Sequence, residues 1–376
     1  MNKSHIAGHI DVALSRRKII VTCGTGGVGK TTLSAALAFR AALLGKRTVV
    51  ITIDPAKRLA TSLGLETLGD DPTDLTPTLL AALDKARLTD GFKLPPNSQV
   101  GTIAAIIPDT KRTFELFVTD IAPTPEAAER VMKNPIFKIF TKEFSGANEY
   151  MAMERLYALE RSGLYDCIIL DTPPSRNTMQ FLDAPKLLGQ FFEEKMIRWL
   201  VVPTNKLVSA GMKKALGILE RLTGAGFMTN LLDFATGLFE LQTGFTQNLK
   251  RIVTLLESDE VGFVMVTTAT PDTAPEVKHF LETLKDHRLH FDGVALNRTL
   301  GYLGTTTALD GFASGEPALE VLAALRSREA KVLHELKKYS VPLCATLPEL
   351  ARDVHSVEDL LYVALAFDPD RSAPER

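Results

Sequence analysis

Nine consecutive residues, Gly24-Thr25-Gly26-Gly27-Val28-Gly29-Lys30-Thr31-Thr32, carry the most specific chemical signal in the chain. They satisfy G-x-x-x-x-G-K-[ST], a spacing in which glycines let the backbone turn successive N–H groups inward onto phosphate oxygens. Lys30 is expected to reach the terminal phosphates, Thr31 to ligate Mg²⁺ through its hydroxyl, and Thr32 to sit against the α-phosphate. The positive end of the helix that follows strengthens the hold on an anion. Such a site also requires a carboxylate at the end of a neighbouring strand, to hold the shell of the metal ion. Asp171 closes the run Cys167-Ile168-Ile169-Leu170 and suits that task. Asp54 closes Val49-Val50-Ile51-Thr52-Ile53 and suits the orientation or deprotonation of an attacking water.

The elements that must hold these residues alternate along the chain. Lys18 to Cys23 is a β-branched run fit for a buried parallel strand, and an Ala/Leu-rich helix follows the glycine loop until Gly45 stops it. Thr48 to Ile53 reads as the second strand, and further buried strands are expected over 166–170, 262–267, 291–296 and 341–344. Helices over 273–285 and 317–338 separate the later ones. Strands alternating with helices give an α/β fold with a mostly parallel sheet covered on both faces. Two stretches, about 65–162 and 184–256, break that rhythm and read as helical insertions, with a strand suggested only near 100–107. In the second, Leu187, Leu188, Phe191, Phe192, Met196, Trp199 and Leu200 recur at helical spacing, and a later stripe runs from Met228 to Leu249. Such stripes form either core or a groove for hydrophobic client helices. Residues 1–17 read as an N-terminal extension, 18–366 as one nucleotide-binding domain carrying both insertions, and 367–376 as a loose tail.

Composition narrows the class. With 376 residues, 45% hydrophobic and 23% charged, the chain can bury a full core. A formal net charge of −2 gives no support to nucleic-acid binding or to attachment on acidic membranes. Cys23, Cys167 and Cys344 are too scattered for a disulfide framework or a CxxC metal site. His5 and His9 have the spacing of a helical metal pair but no third ligand. No apolar run approaches the roughly 18 residues of a membrane span, and no cleavable signal is evident, so stable membrane insertion is not expected and a cytoplasmic location is.

Taken together, Gly26-Gly27-Val28-Gly29-Lys30-Thr31, Asp54-Pro55-Ala56 and Asp171-Thr172-Pro173-Pro174 resemble the deviant-P-loop ATPases, and among these the ArsA/Get branch of arsenite-pump and tail-anchored-protein targeting ATPases. The resemblance covers nearly the whole chain and is strongest for bacterial members carrying TIDPAKRLA (52–60) and EYMAMERLYAL (149–159). It implies an ATPase using ATP and Mg²⁺, with Asp54 as the switch I carboxylate and 171–178 as switch II. It further implies Asn297 at the adenine edge and Pro348-Glu349 closing over the base. Family members are dimers with facing nucleotide sites, in which nucleotide state governs a hydrophobic or membrane-associated client.

Several positions depart from that pattern. Thr25 stands where the family carries a signature Lys that reaches across the dimer. Lys57 or Arg58 then substitutes in a homodimer, or a paralogous ATPase supplies the Lys in a heterodimer. A second reading follows from the same residue: a nucleotide-gated interaction subunit with little intrinsic hydrolysis, working with a Lys-bearing paralogue. Ser175-Arg176-Asn177 replaces Thr-Gly-His in switch II, and neither the zinc-binding CxxC of the targeting enzymes nor a cysteine cluster for arsenite is present. A partitioning ATPase would use a basic patch or an amphipathic C-terminal membrane helix, whereas SVEDLLYVALAFDPD is acidic.

Overall fold

A computed structural model describes residues 8–53, 58–66, 68–90, 99–137, 147–172, 182–185, 189, 226–300, 317–350 and 353–367. The chain divides into two compact units, one built from 1–107, 159–179 and 256–376, the other from 108–158 and 180–255. It enters through α1 (Gly8–Arg16), β1 (Ile19–Cys23), α2 (Lys30–Leu43), β2 (Thr48–Thr52), the short α3 (Arg58–Ser62), β3 (Thr73–Asp74), α4 (Thr76–Asp90) and β4 (Ile103–Ile106). Next come α5 (Thr110–Ile121), α6 (Pro125–Lys133), α7 (Ala147–Ser162), β5 (Cys167–Asp171) and α8 (Phe227–Leu256). The last stretch is β6 (Val261–Thr268), α9 (Thr273–Asp286), β7 (Phe291–Thr299), α10 (Pro317–Lys338), β8 (Leu343–Pro348) and α11 (Val357–Ala366).

All eight strands form one sheet in the order β3-β4-β2-β5-β1-β6-β7-β8. Every pairing is parallel except β3 against β4, as expected for an α/β fold with a mostly parallel sheet. β1, β2 and β5 are buried at every residue, which is why their sequences are continuous β-branched runs rather than alternating ones. α2 packs against the face of this sheet: its alanines allow close approach, and every residue from Leu33 to Leu43 is buried. Cys23, Cys167 and Cys344 all lie buried in strands with free thiols, and burial pushes the Cys167 and Cys344 thiols up to about 12. The last strand begins at Leu343, just past Pro342, because proline has no N–H to give the ladder. The segment from 73 to 106, expected to open the first helical insertion, instead adds β3, α4 and β4 to the sheet-bearing unit.

The second unit is helical around an aromatic centre. Phe117 meets Tyr150 and Phe245 edge-on at 5.6 and 5.9 Å between ring centroids. Along the thirty-residue α8, Gly237 and Gly244 face Val131 and Ile121; a Cβ at Gly244 would overlap the Ile121 carbonyl oxygen, so the absent side chains permit close helix contact. Phe234, Ala235, Leu238 and Phe245 are buried here, which makes this part of the later apolar stripe core; Phe239 is exposed. Leu187, Leu188, Phe191, Phe192, Met196, Trp199 and Leu200 lie outside the described residues.

Among the described residues of this unit one acidic side chain is buried. Glu154 of α7 receives both of its short hydrogen bonds from the Asn248 amide, at 2.6 and 2.7 Å. Burial pushes its carboxyl up to about 7, with the Tyr150 and Asn248 side chains opposing the rise and Asp120 adding to it. A carboxyl raised in the folded state binds more protons there than when unfolded, so stability falls as pH climbs from its ordinary value through about 7. Glu154→Gln stays neutral and offers its amide to Asn248 Oδ1, which lacks a partner. Thermal melts should show a flatter stability profile between about pH 5 and about pH 8 for the variant. A wild-type slope retained in the variant would show that Glu154 does not titrate there.

Candidate nucleotide-binding site

The sheet places the carboxyl ends of β1, β2 and β5 side by side. Register pairs Thr22 with Asp171 on one side and Thr52 with Asp171 on the other, so three polar residues stand in a row beneath the glycine loop. Asp171 is fully buried. Its Oδ2 accepts from Thr52 Oγ1 at 2.9 Å, and Oδ1 lies 3.3 Å from Ser34 Oγ, itself 2.6 Å from Thr22 Oγ1. Burial pushes the Asp171 carboxyl up to about 6, while the Thr31 and Thr52 hydroxyls and the charge of Lys30 pull it down. Thr31, the expected metal ligand at the start of α2, therefore stands beside the strand-end carboxylate expected to share that metal. A hydroxyl beside one carboxylate suits Mg²⁺, which keeps several waters and takes its remaining oxygens from substrate phosphates. Among the described residues no cluster of three His, Cys, Asp or Glu side chains offers a rival metal site.

The glycine loop is held in a shape only glycine tolerates. Gly24 has φ of 151°, and a Cβ there would overlap the Val266 carbonyl oxygen of β6. Gly29, the N-cap of α2, has φ of 87°, and a Cβ there would strike Asn297 Nδ2. The same nitrogen donates to the Val28 carbonyl at 2.9 Å, which ties β7 to the loop. Lys30 folds back over the loop and donates to the Thr25 carbonyl at 2.8 Å.

A groove runs across this loop. Its phosphate end is lined by Gly27, Lys30, Thr31, Arg58 and Thr172, and its other end by Asn297, Leu347, Pro348, Leu350 and Tyr362. Gly29, Thr32 and Arg298 border both. This is where an open parallel sheet binds ligands, outside the carboxyl ends of strands that diverge to either side of β1. The structure thus brings together Lys30, Thr31, Thr32, Asp171, Asn297 and Pro348, while Asp54, Lys57 and switch II from 173 onward lie outside the described residues. Sequence reasoning missed the hydroxyls of Thr22, Ser34 and Thr52 and the groove-lining Arg298. Thr22 and Thr52 each interrupt an apolar stretch one residue before the end of the expected strand, and that was the available signal.

A glycine loop between strand and helix, a lysine over it and a carboxylate at the end of the adjacent parallel strand define a P-loop nucleotide-binding α/β protein. A family model described as anion-transporting ATPase matches residues 17–91 and 120–364, and the chain belongs to that family. A protein of Prosthecochloris vibrioformis, named after an arsenical pump-driving ATPase, is 27% identical over 197 residues, covering 51% of this chain and 42% of that relative's length. One of Aquifex aeolicus, also named after an arsenical pump-driving ATPase, is 24% identical over 84% of this chain and 87% of its own. The ATPase GET3 of Ajellomyces dermatitidis is 25% identical over 90% of this chain and 86% of its own. The chain therefore spans less than half the length of the first relative but most of the other two. Among the described residues no helix is long and apolar enough to cross a membrane.

Proposed function

We propose that this chain binds Mg-ATP in the groove and hydrolyses it as one member of a dimeric switch, coupling nucleotide state to a hydrophobic or membrane-associated protein client. The observation that carries the reading is the placing of Lys30 and Thr31 at the glycine loop over the buried strand-end carboxylate Asp171, since these are the oxygens and the cation that a magnesium triphosphate needs. Thr31 and Asp171 would hold Mg²⁺, which would supply positive charge to offset that of the phosphates. Lys30 binds the terminal phosphates, the loop amides orient them, and Asp54 holds the attacking water. Asn297 favours adenine: its Nδ2 is committed to Val28, which leaves Oδ1 to accept from an amino group where guanine would present a carbonyl.

Thr25 favours one arrangement of the dimer. With threonine in place of a loop lysine, the chain lacks a charge that would reach a facing site, and a paralogue bearing that lysine completes the pair. Steady-state phosphate release by the pure chain, alone and mixed with such a paralogue, tests both statements. Turnover that rises on mixing supports the heterodimer, and full turnover by a homodimer removes it. Nucleotide binding without turnover in either case would leave the second reading, a nucleotide-gated interaction subunit.

A further inference from the structure

The end of the groove at the glycine loop carries, besides Lys30 and Arg298, a cation whose position is set by the core. Arg58 opens α3 and lines the groove with Gly27, Lys30, Thr31 and Thr172, the residues of the loop and of the β5 end. It does not line the end that holds Asn297 and Pro348, whereas Arg298 borders both ends. Arg58 itself is exposed, but the residues after it are not: Leu59, Ala60 and Ser62 are 0%, 2% and 7% exposed. Leu59 belongs to the same apolar cluster as Leu33 and Val50. Moving the base of the arginine would draw Leu59 out of that cluster, so the side chain projects from a fixed point beside the glycine loop.

Charge balance says what it would do there. In phosphoryl transfer the terminal group spreads negative charge over three oxygens as its bond to the leaving oxygen loosens. Lys30 brings one ammonium to that region, and it also holds the Thr25 carbonyl at 2.8 Å. We infer that Arg58 is a catalytic residue of this site, an arginine supplied within the chain that contacts the γ-phosphate and stabilises its charge in the transition state. This rests on the Mg-ATP reading above. The water oxygen forms a bond to the γ-phosphorus while the bond from phosphorus to the β,γ-bridging oxygen breaks. ADP leaves with that oxygen and its electron pair, and the proton given up by water passes to solvent. Arg58 gives and takes no proton, and a planar guanidinium can donate twice to adjacent phosphate oxygens where an ammonium cannot.

The test compares wild type, Arg58→Ala and Arg58→Lys in two readouts. The first is the ratio of affinities for ATPγS and ADP by calorimetry, which needs no turnover. The second is steady-state phosphate release from ATP. Arg58→Ala should lower the ATPγS preference by about 10-fold through loss of a charged contact to the terminal phosphate. It should lower turnover by about 100-fold or more, with ADP affinity within about twofold of wild type. Arg58→Lys should recover part of the preference but little of the turnover. An unchanged ratio in Arg58→Ala, or turnover within about twofold of wild type, overturns the inference while the nucleotide reading stands. A wild-type chain that binds neither nucleotide overturns the nucleotide reading itself, and with it the role given to Arg58.

Discussion

Replacing Lys30 with alanine should weaken ATP binding by between about 10- and 100-fold, the loss expected when a charged hydrogen-bond donor to phosphate is removed. Lys30 is 7% exposed and stands at the first position of α2, so its ammonium is held over the loop rather than in bulk water. A low-dielectric position makes each phosphate contact worth more than it would be at a surface. Turnover should fall further than binding, because the charge on the terminal phosphate shifts during reaction and the lysine follows it. The fold should survive, because the hydrogen bond from Lys30 to the Thr25 carbonyl lies within the loop itself and no strand depends on it. Titration with a fluorescent ATP analogue, alongside a melt of the nucleotide-free variant, checks both. Wild-type affinity in a folded Lys30→Ala protein would remove the phosphate assignment.

The second large effect is expected at Asp171. Asparagine there keeps the shape and can still bond to Thr52 and Ser34, but it withdraws the negative charge that Mg²⁺ requires. Turnover should fall by about 1,000-fold, equivalent to losing several kcal/mol of metal-borne transition-state stabilisation. ATP affinity should also lose its dependence on Mg²⁺. The nucleotide-free protein should behave oppositely. A fully buried carboxyl pushed up to about 6 carries a desolvation cost once ionised, and asparagine does not. The variant should therefore melt at or above the wild-type temperature near neutral pH. A lower melting temperature would mean that Asp171 acts mainly as a structural hub for its hydroxyl partners.

The sequence made some of this arrangement readable for a physical reason. The glycine loop is local, so its nine residues announce their purpose without any tertiary context, and the central strands are buried on both faces, so their composition alone marks them. Other features exist only after assembly. Thr52 meets Asp171 across 119 positions of chain, a contact created by strand register. β3 is two residues long and forms only because β4 offers an edge. Gly237 and Gly244 weaken a helix on propensity alone, and their value appears only where α5 and α6 press against α8. Arg298 bordered no recognisable pattern; its φ of 56° belongs to the irregularity in β7 between Leu296 and Thr299, where the strand pairs with β8.

The three strand cysteines have a consequence for handling the protein. With the sulfurs of Cys167 and Cys344 pushed up to about 12, almost none of either is nucleophilic at neutral pH. Mild oxidants and alkylating reagents find no target there until the sheet itself comes apart. Incorporation of an alkylating label thus counts opening events, and its rate is a clock for how often the molecule lets go of its own interior.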